Sequence, residues 1–140
     1  MLTAFKKEIT AMVNIIVITL GIMLAFLAIA IAFLQKLNDR NFKKICALYC
    51  EKYKELPPGV SVCYEAGPFT SRTKYIVKMG FIIDPLIYEK PSILSNNKED
   101  VQFMRNLDSK LTKYFKVESF LSNLGILIFI AFWSIVYFYD

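Results

Sequence analysis

The feature that most constrains this chain is an uncharged stretch of residues, 11–34, in which the only polar side chains are Asn14 and Thr19. As an α-helix it extends about 36 Å, which is enough to cross a hydrocarbon core of about 30 Å. Apolar side chains surround its whole circumference, which is not typical of a helix on the surface of a soluble protein. We therefore predict a first transmembrane helix over residues 11–34, preceded by a short tail over residues 1–10.

A second apolar stretch, residues 119–139, is followed only by Asp140 in the sequence. Three aromatic residues gather at its far end, where rings favour the interface with lipid head groups: Trp133, Tyr137 and Tyr139. The sequence thus predicts an all-α membrane protein with two transmembrane helices. Residues 35–118 between them are expected to form a basic, mainly helical loop domain.

Helical spacing in the first half of the loop predicts an amphipathic helix. Phe42, Ile45 and Tyr49 share one face, and the helix is expected to continue from the first span and to end at Pro57 and Pro58. The residues that follow, Val60 to Tyr64, alternate weakly between apolar and polar side chains. They suggest a short extended piece.

Two more helices are expected in the second half of the loop. The first covers residues 72–83 and is expected to be ended by Asp84-Pro85, since proline disfavours a helical residue before it. The second begins with Asn96 as its N-cap and Glu99 in the capping-box position. Apolar residues at helical spacing indicate that it runs without interruption into the second span.

Charge distribution suggests where the loop lies. We count 15 Lys and Arg against 10 Asp and Glu in residues 35–118, so the loop carries the whole net charge of +5. Anionic lipid head groups are the simplest partner for such a loop, and no compact basic run with interleaved aromatic residues suggests nucleic acid. The expected head-group contacts are Lys36, Arg40, Lys43, Lys44, Arg105, Lys110, Lys113 and Lys116.

The same residues bear on orientation. These eight cations flank the spans on the loop side, whereas the tails offer only Lys6 and Lys7. This imbalance favours a cytoplasmic loop with both termini outside. The opposite orientation stays open, because a loop of more than 60 residues can cross regardless of its charge.

Small and polar residues recur along one face of the first span. They are Asn14, Gly21, Ala25, Ala28 and Ala32. Small side chains let two helices approach closely in lipid, so this face predicts contact with another membrane protein or with a second copy of the chain. The alternative is that alanine is simply common in transmembrane helices.

The sequence offers little for catalysis. It has three cysteines, Cys46, Cys50 and Cys63, and no histidine, so a metal site lacks its commonest ligand and the usual acid–base relays are missing. No glycine-rich phosphate loop or serine nucleophile motif occurs. We expect no enzyme activity, no cofactor and no metal, and we identify no small-molecule substrate. The cysteines suit a reducing compartment, although one pair could close in an oxidising one.

Two segments of the second half are similar to parts of a known group. Asp84-Pro85-Leu86-Ile87-Tyr88 is followed by Val101 to Leu111 and by Phe115, which leads into the last span. With the two-span layout, this order resembles universal stress protein B and similar small two-span bacterial proteins. The resemblance implies a multi-pass protein of the bacterial inner membrane with a link to stress, and it carries over no catalytic residues.

Three functions fit these features. The first is an accessory or regulatory membrane protein that acts by helix–helix contact through the small-residue face. The second is an immunity or exclusion protein that blocks a bacteriocin, phage or conjugation system. The third is a pore-forming effector, which requires oligomers because two spans cannot enclose a pore.

Overall fold

The computed structural model describes residues 2–65, 71–92, 94–95 and 97–139, and it describes only the backbone of residues 2–4, 71 and 72. Within these ranges the chain forms five α-helices and no strand, which confirms the all-α prediction. The helices are α1 (Leu2–Tyr53), α2 (Pro58–Glu65), α3 (Ser71–Ile87), α4 (Glu99–Arg105) and α5 (Ser109–Tyr139). They form two compact units: unit 1, Met1–Phe33 with Phe120–Asp140, and unit 2, Leu34–Ser119.

The first apolar stretch and the amphipathic segment are one helix, α1, as predicted. This helix ends at Tyr53 and not at the prolines that follow. Lys54 adopts a left-handed conformation with φ of 69°, and its N–H donates to the Cys50 carbonyl over 2.8 Å. A left-handed residue directly after the last helical one is a common helix ending, so α1 stops before proline could break it.

Unit 1 contains the two apolar helices, which are half-buried along one narrow stripe each. On both helices the half-buried residues repeat at steps of three and four, which is the spacing of a coiled-coil seam. A Cβ added at Gly21 would lie 4.0 Å from the Phe132 ring, so the two helices approach closely at this level. The seam residues are Val13, Val17, Leu20, Leu24, Leu27 and Ile31 of α1 with Leu121, Gly125, Ile128, Phe132 and Ile135 of α5.

Unit 2 is built around the amphipathic part of α1. Phe42, Ile45 and Tyr49 are buried, as their spacing predicts. The Tyr49 ring packs edge-on against Phe81 of α3, with 5.3 Å between centroids, and against Phe103 of α4, with 5.1 Å. The buried apolar cluster is completed by Cys46, Val60, Cys63, Val77, Ile82, Ile83, Met104 and Phe115.

The extended piece expected at residues 60–64 is wrong, because these residues belong to α2. The helix starts at Pro58, where the fixed φ of proline suits a first helical residue and the missing N–H costs nothing. The Pro57 carbonyl accepts the N–H groups of Val60 and Ser61 at 2.8 and 3.0 Å. Val60 and Cys63 are buried and lie three residues apart, as on one face of a helix. Over only five residues, this helical spacing cannot be distinguished from a weak alternation of apolar and polar side chains.

The helix break expected at Asp84-Pro85 is also wrong, since α3 continues to Ile87. Pro85 lies in the last turn, so its missing N–H removes only one hydrogen bond of the helix. Its ring is fully buried. The Asp84 carbonyl then accepts the N–H groups of both Tyr88 and Lys90 at 3.2 Å, which closes the end of the helix.

The single helix expected from Asn96 onward is two helices, α4 and α5, separated by residues 106–108. Asp108 ends the gap as the N-cap of α5, because its carboxylate accepts the Lys110 N–H over 2.9 Å. Asn96 lies outside the described residues, and Asn97 supplies a side-chain oxygen to the Glu99 N–H at 3.0 Å. The prediction that the last helix runs on into the second apolar stretch is confirmed.

We expect Phe81→Ala to lower the free energy of unfolding of unit 2 by about 3–5 kcal/mol, because the ring is fully buried and its loss leaves a cavity. Amide hydrogen exchange of α3 in the full chain measures this change. The matched control is Ile76→Ala on the same helix, where the side chain is 68% exposed and the expected change is within about 0.5 kcal/mol. Equal effects of the two substitutions would contradict the packing described here.

Candidate functional site

The eight cations predicted to contact head groups are all exposed. Lys36, Arg40, Lys43 and Lys44 lie on the face of α1 opposite its buried stripe, within an arc of about 100° at 100° per residue. Lys110, Lys113 and Lys116 follow one another at steps of three along the outer side of α5. The eighth, Arg105, differs because it pairs with Glu89 over 2.9 Å.

The predicted helix–helix face of α1 does not coincide with the seam of unit 1. Gly21 is half-buried beside Phe132, whereas Asn14, Ala25, Ala28 and Ala32 are exposed. At 100° per residue the small-residue face lies about a quarter of a turn away from the seam. Asn14, Ala25, Ala28 and Ala32 are therefore left uncovered by the second apolar helix, and their use by a partner stays a prediction.

The three aromatic residues predicted to lie at an interface are exposed at the end of α5. Trp133 is 54% exposed and stands edge-on to Phe129 and Phe132, each with 6.2 Å between centroids. Tyr137 and Tyr139 are exposed as well. Within the described residues these rings are largely uncovered, and their contact with a membrane interface stays a prediction.

A polar pair that the sequence analysis did not single out is buried in unit 2. Asn38 of α1 and Glu118 of α5 are 0% and 2% exposed, and the Asn38 amide donates to Glu118 Oε2 over 2.5 Å. Burial raises the pKa of the Glu118 carboxyl. The Asn38 hydrogen bond, the Lys78 charge and the Gln35 amide oppose this rise.

An ion pair lies beside it, in which Lys78 is buried and Asp39 is partly exposed. The Lys78 ammonium of α3 donates to Asp39 Oδ1, and Lys74 lies 3.9 Å from the same oxygen. Lys78 is 6% exposed, so its charge is removed from water and depends on Asp39 for compensation. These contacts hold α3 against α1 with charge in addition to the apolar core.

A second buried acid, Asp100, lies at the start of α4. It accepts the Tyr49 hydroxyl over 2.9 Å through Oδ1 and the Ser95 hydroxyl through Oδ2. Burial, followed by the hydrogen bond to Asp100, raises the pKa of Tyr49. The phenol therefore stays a donor, and the acid fixes α4 on the α1 stripe.

The three cysteines are unpaired, with Cys46 and Cys63 buried and Cys50 half-buried. Burial raises the pKa of Cys46 to about 12, and the nearby Cys50 and Cys63 add to the rise. Burial also raises the pKa of Cys63, against the charges of Lys74 and Lys78. In the described part of the chain, no three or more Cys, Asp or Glu side chains are arranged to hold a metal ion.

Helical spacing in the sequence does indicate that Asn38 and Glu118, the two polar residues that were not predicted, face the core. Asn38 precedes Phe42, Ile45 and Tyr49 at the same steps of three and four, so it occupies a core position. Glu118 likewise follows Phe115 at a step of three. A polar residue at a core position of an amphipathic helix predicts a buried polar contact, although its partner is decided only by the tertiary fold.

Comparisons with protein families, with curated proteins and with solved structures found no match to this chain. The resemblance to universal stress protein B is therefore still a prediction.

We expect Cys46 to react with a maleimide roughly 1,000-fold more slowly at neutral pH than an exposed cysteine, because the thiolate is the reactive species and burial suppresses it. Mass spectrometry of the labelled native chain measures the rate for each cysteine. The control is the same reaction after denaturation, where the cysteines are expected to react alike. Rapid labelling of Cys46 in the native chain would contradict its burial.

Proposed function

We propose that this chain is an integral protein of the bacterial inner membrane, crossed by α1 and α5, that serves as an accessory or regulatory partner of another membrane helix. In the described residues both helices are long and apolar enough to cross a membrane. Their most apolar stretches are 0% buried within the chain. A core helix of a soluble protein would be mostly buried, so the exposure supports lipid as the surrounding medium.

The single observation that carries the partner role is the uncovered small-residue face. Ala25, Ala28 and Ala32 are exposed even though a second apolar helix lies alongside in unit 1. Helices associate in lipid through close packing of small residues, with polar side chains such as Asn14 adding hydrogen bonds. A face of this kind that the chain itself leaves uncovered is suited to a helix from another protein or from a second copy.

The basic faces of α1 and α5 support a position of unit 2 beside an anionic leaflet. A lysine or arginine near such a surface contributes about 1 kcal/mol of attraction. All eight cations are exposed, and among them Arg105 has an acidic neighbour in contact. With the charge imbalance of the sequence, this favours the cytoplasmic side for unit 2.

We expect the double substitution Ala25→Leu, Ala28→Leu to weaken partner association at least about tenfold, because two bulky side chains prevent close helix approach. The measurement is cross-linking in native membranes from a photoreactive amino acid at position 32, with the products identified by mass. Products that contain only this chain indicate self-association, and other products identify a partner.

The control is Ala30→Leu, which adds one leucine at an exposed position on the other side of α1. It is expected to leave the cross-linking yield unchanged. If the double substitution also leaves the yield of every cross-linked product unchanged, the small-residue face is not the contact surface. The proposed accessory role would then be wrong.

Orientation requires an introduced cysteine, since burial makes Cys46 and Cys63 poor reporters. We expect Lys113→Cys to resist a membrane-impermeant thiol reagent in intact cells and to react after lysis. Lys113 is exposed, so access to its position depends on the side of the membrane. Lys6→Cys is the matched control from the tail and is expected to react before lysis. The reverse result would overturn the cytoplasmic position of unit 2.

A further inference from the structure

The buried pair of Asn38 and Glu118 leaves two oxygen atoms without a partner. One hydrogen bond joins the Asn38 Nδ2 donor to Glu118 Oε2 over 2.5 Å. In the part of the chain that the structure describes, Asn38 Oδ1 and Glu118 Oε1 are fully buried and accept no hydrogen bond. Buried acceptors without a hydrogen bond destabilise a fold, so a pair of them on two contacting side chains requires an explanation.

A single proton on Glu118 gives both of these oxygen atoms a hydrogen bond. A carboxylic acid has one O–H donor, and an amide has both a donor and an acceptor. If the proton binds Glu118 Oε1, this atom becomes a donor, and the contacting Asn38 side chain offers Oδ1 as an acceptor that lacks a partner. The acid and the amide then form a closed ring of two hydrogen bonds, N–H to Oε2 and O–H to Oδ1.

The charged groups around Glu118 are few and come from two helices. The Asp39 carboxylate of α1 disfavours a negative charge on Glu118, and the Lys78 ammonium of α3 favours it. Lys78 is already engaged by Asp39, and it makes no hydrogen bond to Glu118. The Gln35 amide of α1 also favours the charged form of this carboxyl.

We propose that the Asn38–Glu118 pair is a buried proton-binding site, in which the neutral acid of Glu118 and the amide of Asn38 form a two-hydrogen-bond ring that links α1 to α5 inside unit 2. Loss of the proton leaves a buried carboxylate facing the oxygen of the amide, and the link is reduced to one hydrogen bond. The site requires only the packing of unit 2 and not the membrane role proposed above.

The proton on Glu118 makes the folding stability of unit 2 depend on pH in a predictable direction. Burial raises the pKa of Glu118 in the folded chain above its value in the unfolded one. The stabilisation is therefore complete below the unfolded pKa and is lost as the pH rises through the folded pKa. A proton site of this kind makes unit 2 more stable at low pH than at high pH.

The test is carbon NMR of the full chain in detergent micelles, with the glutamate carboxyl carbons labelled. The expected result is one glutamate signal that titrates at a higher pH than the others and disappears in Glu118→Gln. The glutamine keeps both hydrogen bonds without titrating, so the thermal midpoint of the original chain is expected to fall relative to this variant as the pH rises. A Glu118 signal that titrates together with those of exposed glutamates would overturn the site.

Asp84→Asn provides the matched control, because burial raises the pKa of Asp84 as well but no contact joins it to Asn38. It is expected to leave the Glu118 signal unchanged. If Glu118→Gln does not fold, Asn38→Ala identifies the signal instead, since removing the amide shifts that carboxyl alone. A signal that moves with sodium or potassium concentration at constant pH would indicate a bound cation and would also overturn the proton site.

Discussion

Tyr49 is the side chain on which the rest of unit 2 depends. Its ring lies between aromatic residues of α3 and α4, and its hydroxyl donates to the buried Asp100. One side chain thus joins the apolar core to the acid that fixes α4. A buried tyrosine contributes a large apolar area only if its hydroxyl finds a partner, so the packing and the hydrogen bond depend on each other.

Unit 2 buries several polar and charged side chains. Asn38, Lys78, Asp100 and Glu118 are each at most 6% exposed. Replacing a buried pair by apolar residues is often neutral or stabilising, so such groups are weak evidence for stability alone. A role in responding to the surroundings, such as the proton site proposed for Glu118, gives these residues a reason to be present.

The two proposals concern different parts of the chain. The partner face lies on the apolar part of α1 in unit 1, and the proton site lies in unit 2. Residues of α1 contribute to both, since this helix is continuous from Leu2 to Tyr53. The exposed cations of α1 and α5 belong to unit 2. Each proposal can fail without the other.

Local sequence determined the helical class, the two apolar stretches and the buried stripe of Phe42, Ile45 and Tyr49, because each is a property of composition and periodicity. The positions of the helix ends were harder to predict from local sequence. Whether Pro85 ends a helix depends on the burial that compensates for one lost hydrogen bond, and residues 60–64 fit a helix as well as a strand. Such decisions rest on contacts between segments that are distant in sequence.

The sequence by itself determined where charge and small residues lie, and these positions carry the proposed function. Only the tertiary structure decided which of them are covered. It separated the seam of α1 from the small-residue face, and it brought Asn38 together with Glu118 across 80 positions. Periodicity marks a polar residue as facing the core, but its partner is chosen by how the helices pack, and that choice is not a local property.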